Sequence, residues 1–186
     1  KLFNIKTTGE QQGFYESRHY NRYEATSYLA LETLFKEYCV NDKDSVVDFG
    51  CGKGTAMITF LSYGFSKVGG VEYADNVYDI LVSNFEKLGI DPNGEMINCI
   101  HGDARLVKEE LDKYNWFYTY DPFDKEVYEA VINNICESLE RCPRKAYLIS
   151  ILPTYYKKIL DTGKFVLTNQ FDIMTRQRVV SVFVTK

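Results

Sequence analysis

The stretch Asp48-Phe49-Gly50-Cys51-Gly52-Lys53-Gly54-Thr55 sets an acidic residue just before three alternating glycines. Glycine lets a backbone turn sharply and lets a ligand approach with no Cβ in the way. Further along, Glu72, Asp103 and Asp121 each end or follow an apolar run. Carboxylates so placed can accept hydrogen bonds from hydroxyl, amino and ammonium groups. The loop admits several occupants. A phosphate loop carries lysine and then Ser or Thr after its last glycine, whereas Lys53 precedes Gly54. A dinucleotide loop reads G-x-G-x-x-G, and counted from Gly50 its third glycine falls on Thr55. What the residues themselves support is a nucleoside-type site with acidic contacts and no phosphate cradle. A tight strand-to-helix turn that holds nothing would also use glycines.

Such residues act only if a scaffold brings them together. Ser45–Phe49 is short, apolar and β-branched, which predicts a buried strand, and the loop leads into a helix from about Thr55 to Tyr63, stopped by Gly64. Strands are expected at 67–73, 95–101, 116–120 and 145–152. Between them, Asp75 is placed to cap a helix with Val77, Leu81, Phe85 and Leu88 inward and Gly89 at its end. Residues 105–113 read as a short amphipathic helix. Asp124 is placed to cap a long one carrying Tyr128, Val131, Ile132, Ile135 and Leu139. A short helix is expected over 154–160. Two strands at 164–174 and 176–185 are joined too tightly to be parallel. Upstream, Asn21 and Glu24 have capping-box spacing before Tyr28, Leu31, Leu34, Phe35 and Tyr38. The expectation is an α/β domain over residues 21–186: a doubly wound, mostly parallel seven-stranded sheet with a C-terminal antiparallel hairpin and helices on both faces.

The octapeptide at Asp48 resembles the first motif of class I S-adenosylmethionine-dependent methyltransferases, an acidic residue followed by x-G-x-G-x-G. By strand–helix order the resemblance covers about residues 40–186. It implies S-adenosyl-L-methionine as cofactor, with Asp48, Gly50, Gly52 and Gly54 at its methionine end. Glu72 would accept from both ribose hydroxyls, as acidic residues at strand ends do in nucleotide-binding α/β folds. Asp103 would meet the adenine amino group and the Ala104 N–H the ring. Each has a plainer reading: a solvated strand-end charge for Glu72, a helix cap for Asp103.

The segment Phe117-Tyr118-Thr119-Tyr120-Asp121-Pro122-Phe123 resembles the (D/N/S)-P-P-(Y/F) signature of amino-methylating members, with one proline fewer. That departure puts nucleobase acceptors in doubt. Asp121 is the candidate to orient or deprotonate an acceptor, and Phe123 to wall its pocket. The plainer reading is a proline-containing turn. Residues 1–20 read as an N-terminal arm or lid, and Phe14–Glu24 is dense in aromatic and polar groups. His19 is a possible base, although a surface histidine accounts for it as well, and His101 reads as structural.

Net charge is -4, without the basic excess that nucleic-acid binding calls for. Nucleic acid therefore ranks third as acceptor, after a small molecule or a protein side chain such as lysine. No run is long enough to span a membrane and no signal peptide is visible. The chain begins at Lys1, which leaves room for residues upstream. The five cysteines, Cys39, Cys51, Cys99, Cys136 and Cys142, include no CxxC and predict buried free thiols in a cytoplasmic protein, with no metal site. Two other functions stay open: a non-catalytic protein that binds the same cofactor, and a nicotinamide-dependent oxidoreductase.

Overall fold

The computed structural model describes residues 5–7, 28–121, 123–152, 154–173 and 178–186. Thus the Asn21 capping box, His19 and nearly all of the arm lie outside the described residues. Among the described residues, five α-helices and seven strands follow in order: α1 (Tyr28–Glu37), β1 (Ser45–Phe49), α2 (Thr55–Ser62), β2 (Lys67–Glu72), α3 (Asp75–Lys87), β3 (Ile97–His101), β4 (Trp116–Tyr120), α4 (Lys125–Arg141), β5 (Tyr147–Ile151), α5 (Tyr156–Asp161), β6 (Phe165–Ile173) and β7 (Arg178–Thr185).

The strands form one sheet in the order β3-β2-β1-β4-β5-β7-β6. β1 to β5 are mutually parallel, and β7 inserts antiparallel between β5 and β6. The chain winds outward from β1 to β3, then returns to start β4 on the other side of β1. The point where the winding reverses, between β1 and β4, is where open α/β sheets hold ligands. Phe49 lies opposite Thr119 there, so the loops after β1 and β4 leave the sheet side by side. At the far end, Asn115 accepts from Ser45 N–H at 2.8 Å and donates to Asp44 at 2.7 Å, which pins β1 against β4.

Alternation along each strand divides the core in two. Val46, Val68, Tyr118 and Ile149 pack with Leu31 and Leu34 of α1, Phe60 of α2 and Leu81 and Phe85 of α3. Val47, Phe117, Leu148 and Phe183 pack with Val131 and Ile135 of α4 and Ile159 of α5. Asp124 caps α4, its carboxylate accepting from Val127 N–H at 3.1 Å, a contact worth about 1 kcal/mol.

Three expectations are corrected. Residues 104–113 form two 3-10 turns rather than a helix, because Val107 in extended conformation interrupts them. Asp75 does not cap α3. It is the first helical residue and instead meets His101 Nε2 at 3.0 Å, while Ala74 holds the cap position. Of the five free cysteines only Cys51 and Cys99 are buried; Cys136 is intermediate, and Cys39 and Cys142 are exposed. Among the described residues no helix is long and apolar enough to cross a membrane.

Candidate functional site

The loop after β1 owes its shape to its glycines. Gly50, Gly52 and Gly54 have φ of 76°, 57° and 83°, a region that penalises any side chain by about 1–2 kcal/mol. Gly54 has a second constraint. A Cβ there would lie 2.6 Å from Leu81 Cδ1, so this glycine seats the loop on α3. Most of the loop's donors are already engaged. Gly50 and Cys51 N–H donate to the Val71 carbonyl at 2.9 and 3.0 Å, and Gly54 N–H donates to that of Cys51 at 3.0 Å. Gly52 N–H donates to Glu72 Oε2 at 2.9 Å. A pyrophosphate cradle depends on converging free N–H groups. This loop presents glycine backbone as a floor instead.

Two carboxylates border that floor. Asp48 is 3% exposed and Glu72 8%. Glu72 also accepts from Ala74 N–H at 2.8 Å, so its carboxylate ties the glycine loop to the start of α3. Burial first, and the charge of Glu72 second, push the Asp48 carboxyl well above its ordinary range. Burial also raises Glu72, against the pull of the Ala74, Gly52 and Tyr73 amides. Two buried carboxylates that resist ionisation suit a cationic ligand, whose charge would stabilise both. Burial, then the charges of Asp48 and Glu72, raise the Cys51 thiol. Cys51 therefore stays protonated and is no nucleophile.

After β3, Asp103 shows the capping role: its Oδ1 accepts from Arg105 N–H at 2.9 Å. The Arg105 guanidinium then grips both carboxylate oxygens, at 2.6 Å from Nη2 to Oδ2 and 3.1 Å from Nε to Oδ1. Arg105 also reaches Glu126 at 3.0 Å. Ala104, beside it, is buried. His101 stacks on Tyr78 with ring centroids 4.4 Å apart, in keeping with a structural role.

Across the reversal point, Asp121 is the first residue after β4 and has φ 37°. Its half-buried carboxylate accepts from Thr154 Oγ1 at 3.2 Å. Burial raises its pKa and the Thr154 bond opposes the rise. Leu152, the first residue after β5, is likewise at φ 53°. Beneath them Thr119 donates to Ser150 Oγ at 3.1 Å, and the Tyr128 hydroxyl lies 3.3 Å from the same atom. Phe123 is 2% exposed and belongs to the core layer of α4, so its ring is packed inside.

The sequence assigns no site role to four residues that shape the site. Thr154 steadies Asp121, and Arg105 holds Asp103. Lys53 is buried at 4% exposure within the loop. Asn84 is fully buried and donates to the Lys53 carbonyl at 3.0 Å. Only Asn84 carried a legible signal, a polar residue in the inward stripe of Val77, Leu81 and Phe85.

No protein-family model matches the chain. Among curated proteins it is 26% identical over 126 residues to EEF1A lysine methyltransferase 2 of Mus musculus, a match covering 67% of this chain and 45% of that protein. The chain thus spans less than half the length of the curated relative it matches. Among solved structures it resembles the ribosomal protein L11 methylase of Lactobacillus delbrueckii subsp. bulgaricus, with TM-score 0.63 and 16% identity, covering 85% of this chain and 77% of that one. It also resembles an RNA methyltransferase of Salinibacter ruber solved with S-adenosyl-L-homocysteine, with TM-score 0.60 and 12% identity over 87% of this chain and 94% of that one.

Proposed function

We propose that this chain, whose fold is that of the class I S-adenosylmethionine-dependent methyltransferases, binds S-adenosyl-L-methionine and transfers its methyl group to a nitrogen or oxygen acceptor. The observation that carries the reading is the pairing at the sheet's reversal point. Buried Asp48 and Glu72 border a glycine floor on one side, and Asp121 stands on the other. The residues fit the cofactor's chemistry. Its ammonium and sulfonium charges suit carboxylates that resist ionisation alone, and it has no pyrophosphate to need the engaged loop amides. Gly50, Gly52 and Gly54 would underlie its methionine end, Glu72 would accept from the ribose, and Asp103 with Ala104 would border the adenine.

When bound, that cofactor supplies a methyl group already activated on sulfur. The chain's own work is then to position, desolvate and manage protons. Asp121 is placed to orient the acceptor and to take a proton from it. Its raised pKa makes it a better base than a solvated aspartate, and a protonated amine needs such a base before its lone pair can attack. The name of the mouse relative favours a protein lysine, and a small-molecule amine or hydroxyl comes next. The missing basic excess leaves RNA behind both.

Calorimetry across pH tests the cofactor reading. Binding a cationic ligand requires Asp48 and Glu72 ionised, so affinity is expected to rise with pH through their raised range. An anionic dinucleotide would show the opposite slope, and NADH binding in place of S-adenosylmethionine would favour the oxidoreductase. Transfer is tested separately, with labelled cofactor and a cell lysate as acceptor source. Binding without any labelled product would favour the non-catalytic reading.

A further inference from the structure

A buried amide is stable only where its donors and acceptor are matched. Asn84 is 0% exposed on the inner face of α3. Its hydrogen-bond partners are main chain. Its Oδ1 accepts from Lys6 N–H at 2.8 Å, and its Nδ2 donates to the Lys6 carbonyl at 3.0 Å. The same Nδ2 donates to the Lys53 carbonyl at 3.0 Å. The side chain thus holds Lys6 as a neighbouring strand would, using both its donor and its acceptor. At the same time it grips the glycine loop between Gly52 and Gly54.

The loop is held from two sides. Glu72 fixes the Gly52 N–H from the β2 side, and Asn84 fixes the next carbonyl from the α3 side. If residue 6 leaves, Asn84 Oδ1 loses the Lys6 N–H inside the core. The amide must then turn, and the Lys53 carbonyl is released with it. The Lys6 side chain is exposed, so the attachment is made by backbone alone.

We infer that Asn84 is a positioning residue that couples docking of residues 5–7 to the shape of the glycine loop, so that this N-terminal strap and the bound cofactor stabilise each other. Such coupling is reciprocal: whatever the strap adds to ligand affinity, the ligand returns to strap docking. The inference rests on the cofactor reading above, but its first readout does not.

The test uses the full chain with three substitutions. Lys6→Pro removes the N–H that Asn84 accepts, Lys6→Ala keeps both main-chain bonds, and Asn84→Ala removes the bridge. In ligand-free protein, hydrogen exchange of residues 52–56 is expected to quicken about tenfold in Lys6→Pro and Asn84→Ala, on the scale of one lost hydrogen bond. It should stay at the wild-type rate in Lys6→Ala. By calorimetry, S-adenosyl-L-methionine affinity should fall about tenfold in Lys6→Pro. The double variant should be no weaker than Asn84→Ala. Lys6→Pro should lower the melting temperature no more than Asn84→Ala does, and amide exchange in α4, remote from the strap, should keep its wild-type rate, which separates coupling from general destabilisation. Unchanged loop exchange in Lys6→Pro, or additive losses in the double variant, would overturn the inference. Quickened exchange in a protein that binds no S-adenosyl-L-methionine would uphold the coupling and sink the cofactor reading instead.

Discussion

The two sides of the reversal point turn their chains by different means. After β1 the backbone enters the left-handed region three times, each time at glycine. After β4 and β5 it enters that region at Asp121 and Leu152, which carry side chains. The first side is built without strain, with its amides paired and its carboxylates buried. The second tolerates about 1 kcal/mol or more at each turn that glycine would relieve. Strain kept where glycine would serve points to a side chain that is needed. Leu152 is half-buried against the core layer of α1 to α3, which accounts for its retention by packing. Asp121 is half-buried at the reversal point with its carboxylate accepting from Thr154 Oγ1, and the proposed acceptor chemistry gives a reason for an aspartate there.

That contrast predicts separable effects. The largest is expected for Asp121→Ala: methyl transfer should fall about 10²–10⁴-fold, the usual reach of an acid–base group. Cofactor affinity measured by calorimetry should stay within about twofold, and an equal loss of affinity would erase the division between the sides. Next comes Gly54→Ala, which adds a Cβ at positive φ against Leu81. Urea denaturation should register a loss of about 2–4 kcal/mol, and Leu81→Ala should cost less in that background than it does alone. A smaller effect is expected for Glu72→Gln. Its amide must turn an NH2 toward the Gly52 or Ala74 N–H, so S-adenosyl-L-methionine binding should weaken at least about tenfold. Smallest is a stability comparison at the strained turn. Asp121→Gly should be more stable than Asp121→Ala by about 1 kcal/mol in denaturant melts, the reverse of the order seen in ordinary helices. Equal stability would mean that the turn stores no strain.

Legibility followed the range of each signal. The seven strands, their α/β alternation and the terminal hairpin were readable because apolar periodicity is local. Gly64 and Gly89, at φ 92° and 74°, end their helices for the same reason. The 3-10 turns at 104–113 were misread, because a few inward residues such as Leu111 look alike in either helix. Asp75 was misassigned because capping and first-turn positions differ by one residue, and His101 settles the matter through space. Phe123 reads in sequence as a pocket wall beside Asp121, yet it packs under α4, since nothing in a single aromatic tells which way its ring turns.

By itself the sequence determined that a buried strand would carry an acidic residue near its end and lead into three glycines, and that further carboxylates would end or follow the next strands in turn. Those are consequences of residue type and spacing along one segment. Only the tertiary structure decided which groups those carboxylates face. Arg105 takes Asp103, the loop amides take Glu72, and Asn84 joins Lys6 to Lys53 across distant stretches of chain. Hydrogen bonds require partners within about 3 Å, and the tertiary fold brings Asn84 within that distance of both residue 6 and residue 53.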